Sequence, residues 1–213
     1  MTPPRSETTF TEARAQMVER QLRRRGIADE RVVAAMNTVP RELFIPPRER
    51  PRAYRDGALP IGSGQTISQP WIVAAMAQAL ELKGDERVLE VGAGSGYSAA
   101  VLSLLCRDVV TIERHVALAD QAQALLRELG YANVEVRAGD GTLGAPDRAP
   151  FDGISVTATA EGAPPQALLD QLTPRGTLVC PVRRAAGEHL VRVRAGAEEI
   201  LAAVRFVPLV SDE

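Results

Sequence analysis

The sequence predicts an α/β protein with a doubly wound, mostly parallel sheet and a helical N-terminal extension. From residue 87 onward, short β-branched runs alternate with stretches of helical periodicity, as in parallel strands joined by crossover helices. A glycine-rich turn follows the first of these runs directly. Before residue 83 the sequence instead favours helices separated by proline-rich connections.

Helices are predicted where apolar residues recur at helical spacing between start and stop signals. Asp29 is a suitable N-cap, and Gly26 and Gly130 suit the positions just after a helix. The predicted helices cover residues 13–25, 29–36, 70–82, 95–106, 116–129 and 164–172. Four prolines argue against regular structure across 40–60, namely Pro40, Pro46, Pro47 and Pro51.

Strands are predicted at 87–91, 108–113, 133–137, 151–157, 176–181, 188–194 and 199–207. The length of 213 residues suits a single domain, 1–213, with a helical region at 10–82 and an α/β core at 83–213. Ligands of such sheets bind at the carboxyl ends of the strands. The residues directly after each strand are therefore the candidates for a site.

Composition excludes several classes of function. The formal net charge of −2 gives no reason to expect a nucleic-acid partner. No apolar run approaches the roughly 20 residues that cross a membrane, and residues 1–9 lack the apolar stretch of a signal peptide. Cys106 and Cys180 lie in apolar runs, which indicates packed thiols rather than a disulfide or a metal site. We therefore expect a cytoplasmic protein without a metal. A monomer is our default expectation, which no feature of the sequence decides.

The glycine-rich turn at 90–96 is the most informative segment of the chain. Glycine allows a tight turn and lets the backbone approach a ligand. A dinucleotide fingerprint requires a glycine where this chain has Tyr97, and the carboxylate of Glu90 repels a pyrophosphate. S-adenosylmethionine fits better, because it carries an ammonium and a sulfonium but no phosphate. The alternative is a turn without a ligand, with Glu90 as a solvated strand end.

Three later strand ends carry compatible groups. Glu113 ends the second strand, at the position where an acid accepts hydrogen bonds from ribose hydroxyls. Asp140 lies between two glycines, which taken alone favours an Asx turn. Together with the two preceding strand ends, it favours a contact to adenine. Thr157 and Ala158 follow the fourth strand and are small enough to leave room for a methyl donor and an acceptor.

One segment before the sheet, residues 59–70, also has the composition of a ligand-covering loop. It is too rich in glycine and hydroxyl residues for a core, yet it contains apolar residues at 59, 61 and 67. Ser68 or Gln69 could instead serve only as the cap of the helix that begins at Pro70.

Taken together, these segments resemble the protein-L-isoaspartate O-methyltransferase family, one of the class I S-adenosylmethionine-dependent methyltransferases. The resemblance covers about residues 15–210. The similar segments are GQTISQP at 64–70, VLEVGAGSGY at 88–97, TIER at 111–114, GDG at 139–141, APFD at 149–152, VRFVPLV at 204–210, and the shorter MVERQL, RGI and VPR at 17–22, 25–27 and 39–41. The glycine loop marks only the wider class, whereas 64–70 is more specific because it belongs to the substrate side.

The resemblance implies a Rossmann-like methyltransferase fold and transfer of a methyl group from S-adenosylmethionine to the α-carboxylate of L-isoaspartyl residues in damaged proteins, which begins their repair. It implies that Ser68 is the catalytic contact to the acceptor carboxylate. The other implied substrate contacts are Ile67, Gln69, Thr157 and Ala158. The implied cofactor contacts are Glu90, Gly92, Gly94, Ser95, Gly96, Glu113, Arg114, Asp140 and Gly141.

The chemistry of a carboxylate acceptor is consistent with the few histidines. A carboxylate is ionised at pH 7, so its methylation needs no general base, and we expect His115 and His189 to be structural. Three arginines depart from the family pattern near the expected substrate edge, namely Arg175, Arg183 and Arg184. They leave open a methyltransferase for another peptide carboxylate, such as aspartate. A non-catalytic S-adenosylmethionine-binding module and a nicotinamide oxidoreductase are the more distant alternatives.

Overall fold

The computed structural model describes residues 7–211, and its first helical stretch is less regular than the sequence predicts. Helix α1 (Glu7–Met17) begins earlier than residue 13. It continues as a π-helical segment at Val18–Leu22 and a 3₁₀ turn at Arg23–Arg25. Gly26 ends the stretch with φ of +88°, a conformation that glycine adopts without strain.

The next helix, α2 (Glu30–Thr38), confirms the predicted N-cap. The Asp29 side chain accepts hydrogen bonds from the backbone N–H of Arg31 at 2.9 Å and of Val32 at 3.4 Å. Two 3₁₀ helices follow at Arg41–Phe44 and Pro47–Arg52, so the expectation of no regular structure across 40–60 is wrong. Pro47 fits at the first position of the second helix, where no N–H partner is needed, whereas Pro51 lies inside that helix.

A hairpin occupies part of the segment that was predicted to be a loop. Strands β1 (Leu59–Gly62) and β2 (Gln65–Ile67) pair antiparallel, with Leu59 opposite Ile67. Ser63 and Gly64 between them have φ of +49° and +69°, as tight hairpin turns require. Helix α3 (Pro70–Ala79) follows after two residues and stops three residues before its predicted end.

The central sheet is doubly wound, as predicted. Its strands are β3 (Arg87–Val91), β4 (Asp108–Glu113), β5 (Val134–Ala138), β6 (Phe151–Val156), β7 (Ala160–Glu161), β8 (Leu172–Arg184), β9 (Gly187–Arg194) and β10 (Ala197–Ala203). The spatial order is β10-β9-β8-β6-β3-β4-β5, and β7 pairs with β8. The pairs from β5 through β8 are parallel, whereas β9 and β10 are antiparallel.

The connecting helices are α4 (Tyr97–Ser103), α5 (Val116–Glu128) and α6 (Gln166–Leu169). The first and third are shorter than predicted. The predicted last strand also ends early, at Ala203, and the chain then leaves the sheet. We call residues 204–210 the strap. It returns to the sheet edge, where the N–H of Thr159 donates to Val207 O and the N–H of Leu209 donates to Thr159 O, both at 2.8 Å.

Alternate residues of the central strands belong to two buried apolar clusters. Val88 and Val109 belong to a cluster that also contains Leu22 and Met36 of the N-terminal region. Leu89 and Val110, from the same two strands, belong to the other cluster. The N-terminal region therefore packs directly on the α/β core. Within residues 7–211, no helix combines the length and apolarity that spanning a membrane requires, and no His, Cys, Asp or Glu group is arranged to hold a metal ion.

Candidate active site

The candidate site lies at the topological switch point of the sheet. From β3 the chain winds outward to β4 and β5, and it then returns to β6 on the opposite side of β3. In such sheets a crevice opens between the two strand ends where the winding reverses. A cavity of about 310 Å³ lies there, between the glycine loop after β3 and Thr157 after β6.

Most of the residues predicted to bind ligands line this cavity. They come from the end of β2 and the residue after it, from the glycine loop, from the ends of β4 and β6 and from the turn after β5. They are Ile67, Ser68, Gly92, Gly94, Ser95, Glu113, Arg114, Gly141, Thr157 and Ala158. Segments far apart in the sequence thus meet around one volume, as the prediction of a cofactor site requires.

Four of the predicted residues do not line this cavity. Gly96 supports helix packing, because a Cβ there would lie 3.3 Å from the side chain of Ala122. Asp140 accepts a hydrogen bond at 2.8 Å from the N–H of Thr142 and caps the 3₁₀ turn at Gly141–Leu143. Gln69 lines a second cavity, described below, and Glu90 is buried beneath the first.

Close packing fixes the shape of the glycine loop. Gly92 has φ of +95°, and a Cβ there would lie 2.3 Å from Thr157 Oγ1. The Thr157 hydroxyl lies within hydrogen-bonding distance of Gly92 O at 2.8 Å and of Val91 O at 3.0 Å. A Cβ on Gly94 would lie 3.3 Å from Cδ1 of Ile61, so the hairpin packs against the same loop. The loop is therefore held between β6 and the hairpin.

Glu113 braces the loop from the other side. The N–H of Gly94 donates to its Oε2 at 2.8 Å, and the N–H of His115 donates to its Oε1 at 2.9 Å. An ionised carboxylate has about four lone-pair sites, so capacity remains for ligand hydroxyls. His115 itself lines the cavity, which the sequence analysis missed. Its position just after a strand end was the available signal.

Glu90 is not the solvated strand end of the alternative interpretation, since it is fully buried. The Thr111 hydroxyl donates to its Oε2 at 2.6 Å, and its Oε1 has no hydrogen-bond partner among the described residues. Burial raises the pKa of Glu90 to about 7, against the opposing hydrogen bonds from Ser98 and Thr111. The carboxyl group of Glu90 therefore lies under the loop with a pKa close to neutral pH. A cationic ligand bound nearby would favour its charged form.

A second cavity of about 730 Å³ adjoins the first. Its walls include Gln69, Trp71 and Phe206, and two of its lining residues are the arginines Arg25 and Arg205. Four residues line both cavities, namely Thr66, Ser68, Thr157 and Val207. These four residues form the part of the wall that the two cavities share.

The strap completes the first cavity and was not predicted to do so. Its residues Val207, Pro208, Leu209 and Val210 all belong to the lining. Glu188 Oε1 anchors it by accepting hydrogen bonds from the N–H of Phe206 and from the hydroxyl of Thr159, both at 2.6 Å. The sequence analysis noted the motif at 204–210 but assigned most of it to a strand, so its role as a wall was missed.

Of the three arginines expected near the substrate edge, two are paired with acids and the third is exposed. Arg183 pairs with Glu161 at 2.7 Å and with Glu188 at 3.2 Å, and Arg184 pairs with Glu198 at 2.6 Å. Arg175 is exposed near the amino end of β8, away from the carboxyl edge. None of these three arginines lines either cavity. The charges of Arg183 and Arg184 are therefore balanced by acids on β7, β9 and β10.

Comparison with known proteins agrees with this geometry. The family model Protein-L-isoaspartate(D-aspartate) O-methyltransferase matches residues 12–213. The chain is 53% identical to Protein-L-isoaspartate O-methyltransferase 1 of Rhodopseudomonas palustris (strain HaA2), over 99% of this chain and 89% of that one. A solved protein-L-isoaspartate O-methyltransferase has a TM-score of 0.83 at 26% identity, over 93% of this chain and 66% of that longer one. A Plasmodium falciparum structure in complex with S-adenosyl-L-homocysteine has the same fold, with a TM-score of 0.81 at 24% identity over 93% of this chain and 99% of that one. Since the family match spans nearly the whole sequence, the chain belongs to the protein-L-isoaspartate(D-aspartate) O-methyltransferase family.

Proposed function

We propose that this protein transfers a methyl group from S-adenosylmethionine to the α-carboxylate of L-isoaspartyl residues in damaged proteins. The products are S-adenosylhomocysteine and a methyl ester, whose collapse to a succinimide begins the repair. One observation carries the proposal beyond family membership. Ser68 lies in the wall between a cavity of cofactor type and a second cavity of a size that admits a peptide side chain.

The residues around the first cavity fit this cofactor. Glu90 and Glu113 place two acids near the glycine loop, which favours a ligand that carries an ammonium and a sulfonium. We assign the ribose hydroxyls to Glu113 and the adenine to Gly141, with Asp140 holding that turn in place. When bound, the cofactor supplies an electrophilic methyl group on sulfur.

The acceptor needs orientation rather than activation. Its carboxylate is ionised at pH 7, so it attacks without a general base. The Ser68 hydroxyl donates a hydrogen bond to that carboxylate in our proposal, and Ile67, Gln69, Thr157 and Ala158 shape its surroundings. The rate enhancement then comes mainly from holding oxygen, methyl carbon and sulfur in line.

The alternatives are less well supported. Another peptide carboxylate was suggested by the three arginines, which lie outside both cavity linings. A non-catalytic module does not explain why a second cavity meets the first at Ser68. Isoaspartyl-containing proteins and peptides are the partners that follow from the proposal. A monomeric state, a cytoplasmic location and the absence of nucleic-acid partners stay predictions from the sequence.

The test is methyl transfer from labelled S-adenosylmethionine to a short isoaspartyl peptide, with the aspartyl peptide of the same sequence as the control. Base-labile label on the isoaspartyl peptide alone is the expected result. Equal label on both peptides would favour the broader carboxylate acceptor. Absence of label on either peptide, with S-adenosylhomocysteine binding intact by calorimetry, would favour the non-catalytic module.

A variant links the activity to the shared wall. Ser68→Ala is expected to raise KM for the peptide about tenfold through the lost hydrogen bond, while the Kd for S-adenosylhomocysteine stays within about twofold. Ser63→Ala is the matched control, because Ser63 is exposed in the hairpin turn and belongs to neither cavity lining. Equal kinetic effects of the two substitutions would contradict the role of Ser68.

A further inference from the structure

Arg41 is the largest fully buried side chain among the described residues, with 0% of its surface exposed. Burying a guanidinium group is unfavourable unless its donors are paired and its charge is used. The site prediction made no use of this residue, although it ends the VPR segment at 39–41. Its neighbours show what its burial achieves.

The guanidinium joins three separate segments. Its Nε donates to Ala53 O at 2.8 Å, and its Nη2 donates to Ser68 O at 2.7 Å. Its Nη1 is buried and has no hydrogen-bond partner among the described residues. Its central carbon lies 4.9 Å from the ring centroid of Tyr97, a residue of the cofactor cavity. Among the described residues, Arg41 is the only charged residue that donates a hydrogen bond to the Ser68 carbonyl.

The surroundings leave this part of the protein with a surplus of positive charge. A second arginine, Arg14, donates from Nε to the Tyr54 hydroxyl at 2.7 Å and pairs with Glu42 at 3.1 Å. The Tyr54 hydroxyl donates in turn to Glu42. Among the described residues of this cluster, Glu42 pairs with Arg14, whereas Arg41 pairs with no carboxylate, so the charge of Arg41 is not balanced there. Because the cluster is largely buried, solvent screens its charge weakly.

We propose that Arg41 is the positioning residue of the acceptor site: it fixes the backbone of Ser68 in the wall between the two cavities and gives that wall a positive potential. This inference rests on the proposed function, since it takes the acceptor to be a carboxylate held at Ser68. Arg14 serves the same cluster but makes none of its recorded hydrogen bonds to the acceptor loop.

The charge balance of the reaction determines which kinetic parameter Arg41 affects. The acceptor oxygen forms a bond to the methyl carbon while the carbon–sulfur bond breaks and its electron pair goes to sulfur. The negative charge of the carboxylate and the positive charge of the sulfonium disappear together, and no proton moves. A positive potential therefore stabilises the bound anion more than the transition state. Arg41 should lower KM without raising kcat.

The experiment compares Arg41→Lys with Arg14→Lys in methylation of the isoaspartyl peptide. Lysine keeps the charge but lacks the planar fork that reaches two carbonyl groups at once. For Arg41→Lys we expect KM to rise at least about tenfold, as for a lost hydrogen bond to a charged group. Its kcat and its Kd for S-adenosylhomocysteine should stay within about twofold, and Arg14→Lys should keep KM within about twofold.

A second variant separates positioning from general destabilisation. In Arg41→Ala, added guanidinium chloride should recover part of the loss in KM, whereas sodium chloride at equal ionic strength should not. The inference is overturned if both lysine variants raise KM equally, if kcat falls while KM is unchanged, or if the affinity for S-adenosylhomocysteine falls as much as KM rises.

A measurement on the unmodified protein covers the case in which the variants do not fold. NMR of isotope-labelled protein should show slowly exchanging Nη protons on Arg41 and a coupling across the hydrogen bond to the Ser68 carbonyl carbon. Rapid exchange without that coupling would overturn the inference. An unmodified protein that fails to methylate the isoaspartyl peptide contradicts the proposed function instead, and the NMR result still decides whether Arg41 holds Ser68.

Discussion

The contact between Gly92 and Thr157 joins the two strand ends that flank the cavity, and Gly92→Ala tests it. The new Cβ would lie 2.3 Å from Thr157 Oγ1, which is too close for any real contact. The hydroxyl would have to turn away from the Gly92 and Val91 carbonyls that it now contacts. The substitution should therefore destabilise the protein and weaken cofactor binding together.

The magnitude follows from three contributions. A non-glycine residue at φ of +95° costs about 1–2 kcal/mol. Loss of the threonine hydrogen bond adds about 1 kcal/mol, and overpacking adds about 1–3 kcal/mol. The control is Gly130→Ala, which has φ of +83° and whose Cβ would meet no described atom within 4 Å. The excess over this control is then about 2–4 kcal/mol, or a Tm lower by roughly 4–16 °C for a chain of this size.

The assay is thermal unfolding of both variants, followed by calorimetry with S-adenosylhomocysteine. Thr157→Ala in the Gly92→Ala background removes the clashing atom and should restore about 1–3 kcal/mol relative to additivity. If Gly92→Ala melts at the same temperature as Gly130→Ala, or if the two substitutions at the contact are strictly additive, the steric reasoning is refuted.

Three further predictions concern buried or bound side chains. Because burial raises the pKa of Glu90 to about 7, the folded state holds its proton more tightly than the unfolded state, and stability is lost as pH rises towards 7. Glu90→Gln should therefore stabilise the protein more at pH 8 than at pH 5, by up to about 3 kcal/mol in urea unfolding, and an equal effect at both pH values would contradict this. Glu113→Gln places an amide against two backbone N–H groups and should weaken S-adenosylhomocysteine binding about tenfold by calorimetry, so unchanged affinity would count against its role. Burial raises the pKa values of the Cys106 and Cys180 thiols to about 12, so neither should react with a disulfide reagent at pH 8 until the protein unfolds, and prompt reaction of the native protein would be the contrary result.

The sequence was most informative where one local rule dominates. The strands β3, β4 and β6 lie within a residue of their predicted bounds, because each is a compact apolar, β-branched run. Asp29 caps its helix through hydrogen bonds from two residues of the first turn, Arg31 and Val32, so no tertiary information was needed. The glycine loop was recognisable for the same reason, since its conformation depends on residue type.

Elements that depend on distant partners were harder to predict. The hairpin strands β1 and β2 have only 4 and 3 residues, too few for a clear alternation. The strap has no regular structure of its own and is placed by Glu188 and Thr159. Arginine is mostly found exposed to solvent, so nothing in the sequence indicated that Arg41 is buried, as the structure shows.

The strap also affects when, during synthesis or after proteolysis, the cavity is complete. The glycine loop and the acid that braces it are formed by residues before position 116, yet one wall of their cavity is formed by residues 207–210. A nascent or proteolytically trimmed chain without residues 207–210 would lack this wall of the cavity. We therefore expect cofactor affinity to depend on this last segment, because its loss would remove one wall of a cavity whose other walls come from earlier parts of the chain.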